Sequence, residues 1–93
     1  MFKVFVEYKV YPECREPYIL LMDRIRTRIP GLELLEAEDQ EGLFLEIWTI
    51  ETTDRYKMFL DKRKLAGHPD WAELVKMIPG GVDKMNIWRF RPI

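Results

Sequence analysis

The chain has 93 residues, of which 47% are hydrophobic and 33% charged, and its formal net charge is −1 at pH 7. This length allows one domain with a modest core, and the balanced charge gives no reason to expect nucleic acid or an anionic membrane as a partner. The absence of serine and the single histidine and cysteine exclude a serine nucleophile, an intrachain disulfide and a zinc site built from several His or Cys ligands.

The beginning of the chain alternates as a strand, so we do not interpret it as a signal or transit peptide. No apolar run approaches the ~20 residues that are needed to span a bilayer. We therefore expect a cytoplasmic protein without a membrane partner.

The first half of the chain predicts a strand, a helix and a hairpin. Residues 2–10 alternate between two sets of side chains, which is typical of a strand. Pro17 suits the first turn of a helix, and apolar residues at helical spacing extend this helix to about Arg28. Residues 32–37 and 43–50 flank a polar turn, so we predict two strands that pair as a hairpin.

The second half predicts two helices and a closing strand. Residues 52–54 are a plausible N-cap for a helix that reaches about Leu65, and Gly67 is a natural stop for it. A short third helix opens at residues 68–70, and residues 82–91 predict the last strand. The order β-α-β-β-α(α)-β is that of the ferredoxin-like α+β fold, with a four-stranded antiparallel sheet whose first and third strands are central.

Two predicted strands are apolar on both faces, and the helices can cover only one face of the sheet. We expect the helices to meet Val4, Val6, Leu43, Leu45 and Ile47. The other face would then carry Phe5, Glu7, Phe44, Glu46 and Trp48. Such a surface should not be left in water, so we predict that it forms a dimer interface with a pocket inside. The sequence leaves open which face of the last strand joins this interface.

On these features the chain resembles the dimeric α+β barrel superfamily, which includes antibiotic-biosynthesis-monooxygenase-like and haem-degrading proteins. The resemblance rests on the order of elements and on the segments FKVFVEYKV (residues 2–10), LFLEIWTIE (43–51) and GHPDWAEL (67–74). It implies that residues 1–93 form one ferredoxin-like domain and that two copies make a homodimer. It also implies a cleft between each sheet and its helices.

Three residues are candidates for moving a proton. His68 is a candidate because histidine as a residue type can exchange a proton near neutral pH, and the resemblance to haem degraders would make it an axial ligand. The alternative is a place in the cap of the third helix. Glu7 and Glu46 are expected together on the second face, where desolvation would raise the pKa of a carboxyl group. The alternative is that these two carboxylates pair with Arg89 or Lys9.

The predicted ligand-binding residues are all aromatic: Phe5, Phe44, Trp48, Tyr56, Phe59 and Trp71. The resemblance implies a monooxygenase-like protein that binds a small apolar or aromatic compound, without a metal or a bound cofactor. A non-catalytic ligand-binding or structural dimer and a haem-binding or haem-degrading protein are the alternatives. An RNA-binding module has the same element order but is disfavoured here, because two glutamates are expected on the open face.

Overall fold

The computed structural model describes residues 1–65 and 68–93. In this part of the chain, four strands and three helices follow one another in the order that the sequence predicts. The strands are β1 (Phe2–Lys9), β2 (Glu33–Glu36), β3 (Leu43–Ile50) and β4 (Asn86–Phe90). The helices are α1 (Arg15–Arg28), α2 (Thr53–Lys64) and α3 (Ala72–Val75). The helix stop predicted at Gly67 lies outside the described residues.

The four strands form one antiparallel sheet in the order β2-β3-β1-β4. This arrangement confirms the ferredoxin-like α+β fold, with the first and third strands in the centre. No helix among the described residues is long and apolar enough to cross a membrane.

The hydrophobic core lies between the helices and one face of the sheet. The sheet contributes Val4, Val6 and Tyr8 from β1, and the helices contribute Tyr18, Met22 and Leu74; each of these side chains is at most 1% exposed. Side chains alternate across a strand, so every second residue of β1 faces this core.

The predicted orientation of β3 was wrong. Trp48 lies opposite Val4, Glu46 opposite Val6 and Phe44 opposite Tyr8. Residues directly opposite one another share a face of the sheet, so these three β3 side chains point toward the helices.

The other set of β3 side chains lies on the open face of the sheet, beside Phe5 and Glu7. These residues are Leu43, Leu45 and Ile47, and all three are half-buried. A shift of one residue exchanges the two faces of a strand, and β3 is apolar enough on both that hydrophobicity does not choose between them.

The last strand is shorter than predicted, because residues 81–84 form a 3-10 turn. Gly80 and Gly81 both have positive φ, at 82° and 63°, a conformation that favours glycine and turns the chain before β4 begins. Asn86 and Trp88 lie opposite Glu7 and Phe5, which places them on the open face. The aromatic side of the last strand therefore belongs to the open face.

Candidate functional site

A cleft of about 880 Å³ opens between the helices and the end of β3. Its walls come from the last turns of α1, from residues 48–51, from one side of α2 and from the segment just before α3. This volume lies within the range of about 300–1,000 Å³ that is typical of small-molecule sites.

One wall of the cleft is aromatic. Trp48 from β3 contacts Phe59 from α2 with ring centroids 5.1 Å apart, and it contacts Trp71 at 6.1 Å. Both pairs meet edge to face, an arrangement that is favourable for aromatic rings. The remaining apolar lining has no aromatic ring and consists of Ile25, Ile29, Ile50, Met58 and Pro69. A flat aromatic ligand can therefore pack against this wall.

A buried polar network lies directly behind the aromatic wall. The carboxylate of Glu46 accepts two hydrogen bonds from Arg63, at 2.7 and 2.8 Å, and both side chains are completely buried. Trp48 Nε1 donates to the same carboxylate at 2.7 Å, and the Tyr8 hydroxyl donates to it as well. The hydroxyls of Tyr8 and Tyr18 are 2.7 Å apart and continue the network away from the cleft.

The network keeps Glu46 ionised. Burial by itself would raise the pKa of this carboxyl group, but the charge of Arg63 and the hydrogen bonds outweigh it and lower the pKa below its usual value. Burial and the neighbouring carboxylate raise the pKa of Tyr8 well above its usual value, so its phenol remains a donor. The prediction that the pKa of Glu46 is raised overall was wrong, because the ion partner of Glu46 lies within the same core and outweighs desolvation.

Arg63 joins this network to the aromatic wall. Its guanidinium carbon lies 3.8 Å from the ring centroid of Trp71 and 5.4 Å from that of Phe59. A cation over an aromatic face is attracted by the electrons of the ring, most strongly for tryptophan. Glu46 and Arg63 therefore hold Trp48 and Trp71 in fixed orientations at the cleft. The catalytic role of Glu46 stays a prediction.

Half of the predicted ligand-binding residues come together in the cleft, namely Trp48, Phe59 and Trp71. The other three lie elsewhere. Phe44 is buried in the core with its ring 4.4 Å from that of Tyr18, and Tyr56 lies 4.6 Å from the guanidinium carbon of Arg89. Phe5 is on the open face of the sheet, 5.1 Å from the ring of Phe90.

The three predicted proton-transfer residues are not brought together. Glu7 is on the open face, where it accepts a hydrogen bond of 3.3 Å from Asn86, whereas Glu46 is on the helix face. The prediction that the two carboxylates share a face was therefore wrong. The alternative ion pairs with Arg89 or Lys9 were wrong for Glu46, whose partner is Arg63.

His68 lies just before α3, where its Nδ1 accepts a hydrogen bond of 3.2 Å from the backbone N–H of Asp70. His68 also does not line the cleft. The alternative of a haem held by His68 stays a prediction, and such a haem would not lie against the lining of this cleft. Among the described residues, no group of three or more His, Cys, Asp or Glu side chains could hold a metal ion.

Arg63 is not among the predicted site residues, although two signals in the sequence point to it. Arg63 follows Tyr56 and Phe59 at helical spacing, which places it on the inner face of α2. Glu46 lies within an otherwise apolar strand, and a carboxylate in that position needs a buried cation as its partner. Each signal is weak by itself, because a charged residue in either segment is more often exposed.

The comparisons with known proteins concern the fold. No protein-family model and no curated protein matches the chain. A crystal structure of an antibiotic biosynthesis monooxygenase superposes with a TM-score of 0.64 at 19% identity, covering 100% of this chain and 99% of the other. Protein Atu4242 from Agrobacterium tumefaciens superposes with a TM-score of 0.62 at 14% identity, covering 100% and 94%. The chain thus has the fold of antibiotic-biosynthesis-monooxygenase-like proteins, which confirms the resemblance noted in its sequence at the level of fold.

Proposed function

We propose that this protein binds a small aromatic compound in the cleft between its sheet and helices, and that it acts on this compound as a monooxygenase without a cofactor. The observation that carries the proposal is the wall formed by Trp48, Phe59 and Trp71. Their orientation is set by hydrogen bonds and stacking from the buried pair behind them. Rigid aromatic walls of this kind favour flat, apolar ligands.

The likeness to an antibiotic biosynthesis monooxygenase supports the catalytic part of the proposal. Without a cofactor, the electrons for the reaction come from the substrate. An activated methylene group would lose two hydrogens and gain one oxygen atom from O2 to become a carbonyl, and the second oxygen atom would leave as water. Such a step begins with removal of a proton, and the carboxylates that line the cleft belong to Glu51 and Asp70.

Binding is tested by isothermal titration calorimetry on the full chain, in which we expect 1-naphthylmethanol to bind in a saturable manner. Phe59→Ala should weaken binding about tenfold, because removing an aromatic contact worth about 1.4 kcal/mol of binding free energy changes the affinity tenfold. Leu20→Ala, which removes an exposed side chain of α1 far from the cleft lining, serves as the control. Equal affinity in the Phe59 variant would contradict the proposed site.

Turnover is tested with anthrone, an aromatic ketone whose methylene group loses a proton readily. Oxygen uptake that depends on the protein and yields anthraquinone would support a monooxygenase. Saturable binding without oxygen uptake would favour the non-catalytic ligand-binding alternative. The buried network favours this non-catalytic alternative in one respect. The carboxylate of Glu46 already accepts four hydrogen bonds from its neighbours, so its acceptor sites are occupied.

We also infer that two copies pair through the open face of the sheet. Trp88 and Phe90 remain 46% and 54% exposed there, and Leu35 is 50% exposed. Phe5 and Leu45 line a shallow depression of about 610 Å³ on the same face. An apolar surface of this kind is rarely left in water, so a second copy of the chain is its simplest cover. The cytoplasmic location stays a prediction.

A further inference from the structure

The mouth of the cleft carries an excess of positive charge. Three exposed cations line it, and they are Arg28, Arg55 and Lys62. The lining also includes the carboxylates of Glu51 and Asp70, so one positive charge is left without a counterpart.

The ion pairs of the described residues neutralise only one of these three cations. Lys62 Nζ lies 3.5 Å from the carboxylate of Asp70, so these two charges offset each other. Within residues 1–65 and 68–93, none of the ion pairs includes Arg28 or Arg55. Both guanidinium groups are therefore without an ion-pair partner among these residues, as is the carboxylate of Glu51 in the same lining.

The two arginines belong to different walls of the cleft. Arg28 is in the last turn of α1, and Arg55 is in the first turn of α2. Met58 and Phe59 follow Arg55 at spacings of three and four residues, which places all three on one side of α2. Met58 is 61% exposed although it lines the cleft. The lining thus passes from cationic groups at the mouth to an aromatic wall inside.

We propose that the ligand of this cleft is an aromatic acid, whose ring packs against Trp48, Phe59 and Trp71 and whose anionic group is held by Arg28 and Arg55. Guanidinium groups match the geometry of a carboxylate and bind it through two parallel hydrogen bonds. This inference rests on the proposed function and names the chemical class of its ligand. The unpaired arginines and the uncovered Met58 are the observations that support it.

The test compares 1-naphthoate with 1-naphthylmethanol, which share a ring system and differ in charge. Isothermal titration calorimetry on the full chain measures the dissociation constant of each compound. We expect Arg55→Gln and Arg28→Gln each to weaken binding of naphthoate about tenfold, as loss of a charge-assisted hydrogen bond does. Binding of naphthylmethanol should change less than about twofold.

Two further variants provide the controls. Lys57→Gln removes one positive charge from α2 at a position outside the cleft lining and should leave the affinity for naphthoate unchanged. Arg91→Gln removes a cation beside the depression on the open face and should also have no effect.

The possible results separate this inference from the proposed function. If both compounds bind but neither cleft arginine affects naphthoate, the inference fails while the proposed function stands. If Arg91→Gln is the variant that weakens naphthoate, the anion binds on the open face and the inference fails. If neither compound binds to the unmodified protein, the proposed function fails and this inference fails with it.

Discussion

Glu46 lies fully buried within an apolar strand, where its carboxylate accepts four hydrogen bonds from three neighbouring side chains. Arg63 supplies two hydrogen bonds, and Trp48 and Tyr8 supply one each. Removing an ion from water costs several kcal/mol, and such a pair is retained when good geometry offsets that cost. At the scale of single residues, this pair therefore orients the cleft wall more than it stabilises the fold.

Removal of the cation tests the buried pair. Arg63→Met would leave the carboxylate of Glu46 buried without its counterion, and we expect the free energy of unfolding to fall by about 3–5 kcal/mol. Urea unfolding followed by circular dichroism measures the change. Combining Arg63→Met with Glu46→Gln should restore part of the loss, because residues in direct contact are not additive. A double variant less stable than Arg63→Met alone would contradict this account.

At the scale of elements, local patterns placed the helices and strands within a few residues of their observed bounds. The N-cap predicted at residues 52–54 is Thr52, whose side chain accepts a hydrogen bond of 3.1 Å from the Arg55 backbone N–H. The start of the last strand was predicted too early, because Gly80 and Gly81 turn the chain and residues 81–84 form a 3-10 turn before the strand begins.

The cap of α2 gives a prediction at this scale. Thr52→Ala removes the acceptor for an otherwise unpaired backbone N–H at the helix start, and we expect a loss of about 1 kcal/mol in unfolding free energy. Thermal and urea unfolding both measure this loss. Thr53→Ala is the matched control, since Thr53 is already within the helix and alanine favours helix there. An equal loss in both variants would show that the threonine methyl groups, not the cap, matter.

At the scale of the whole molecule, the open face of the sheet leaves Trp88 and Phe90 about half exposed. The faces of β1 and β3 were predicted to form an interface that contains Phe44 and Trp48. In the structure, this surface is formed instead by Leu45 from β3 and by Trp88 and Phe90 from β4. This surface is still apolar, so it supports the proposed homodimer, although the residues at the interface differ from the predicted ones.

The proposed dimer is tested by light scattering of the purified protein. We expect the mass of two chains, and we expect Trp88→Lys to give a monomer, because a charge at the centre of an apolar interface cannot be solvated. Leu20→Lys is the matched control, since Leu20 is an exposed apolar residue of α1, away from the sheet. A monomeric unmodified protein, or dissociation by the Leu20 variant as well, would contradict pairing through the sheet.

The sequence by itself determined the order of the elements and the antiparallel sheet, because alternation, helical spacing, caps and turn residues are local and act over a few neighbours. It also identified Phe59 and Trp71, which line the cleft, whereas it placed Trp48, a third lining residue, on the opposite face of the sheet. Only the tertiary structure decided which face of β3 meets the helices, since both faces are apolar and a shift of one residue exchanges them. It also decided that Glu46 pairs with Arg63, 17 residues away, because that contact depends on how α2 packs against the sheet.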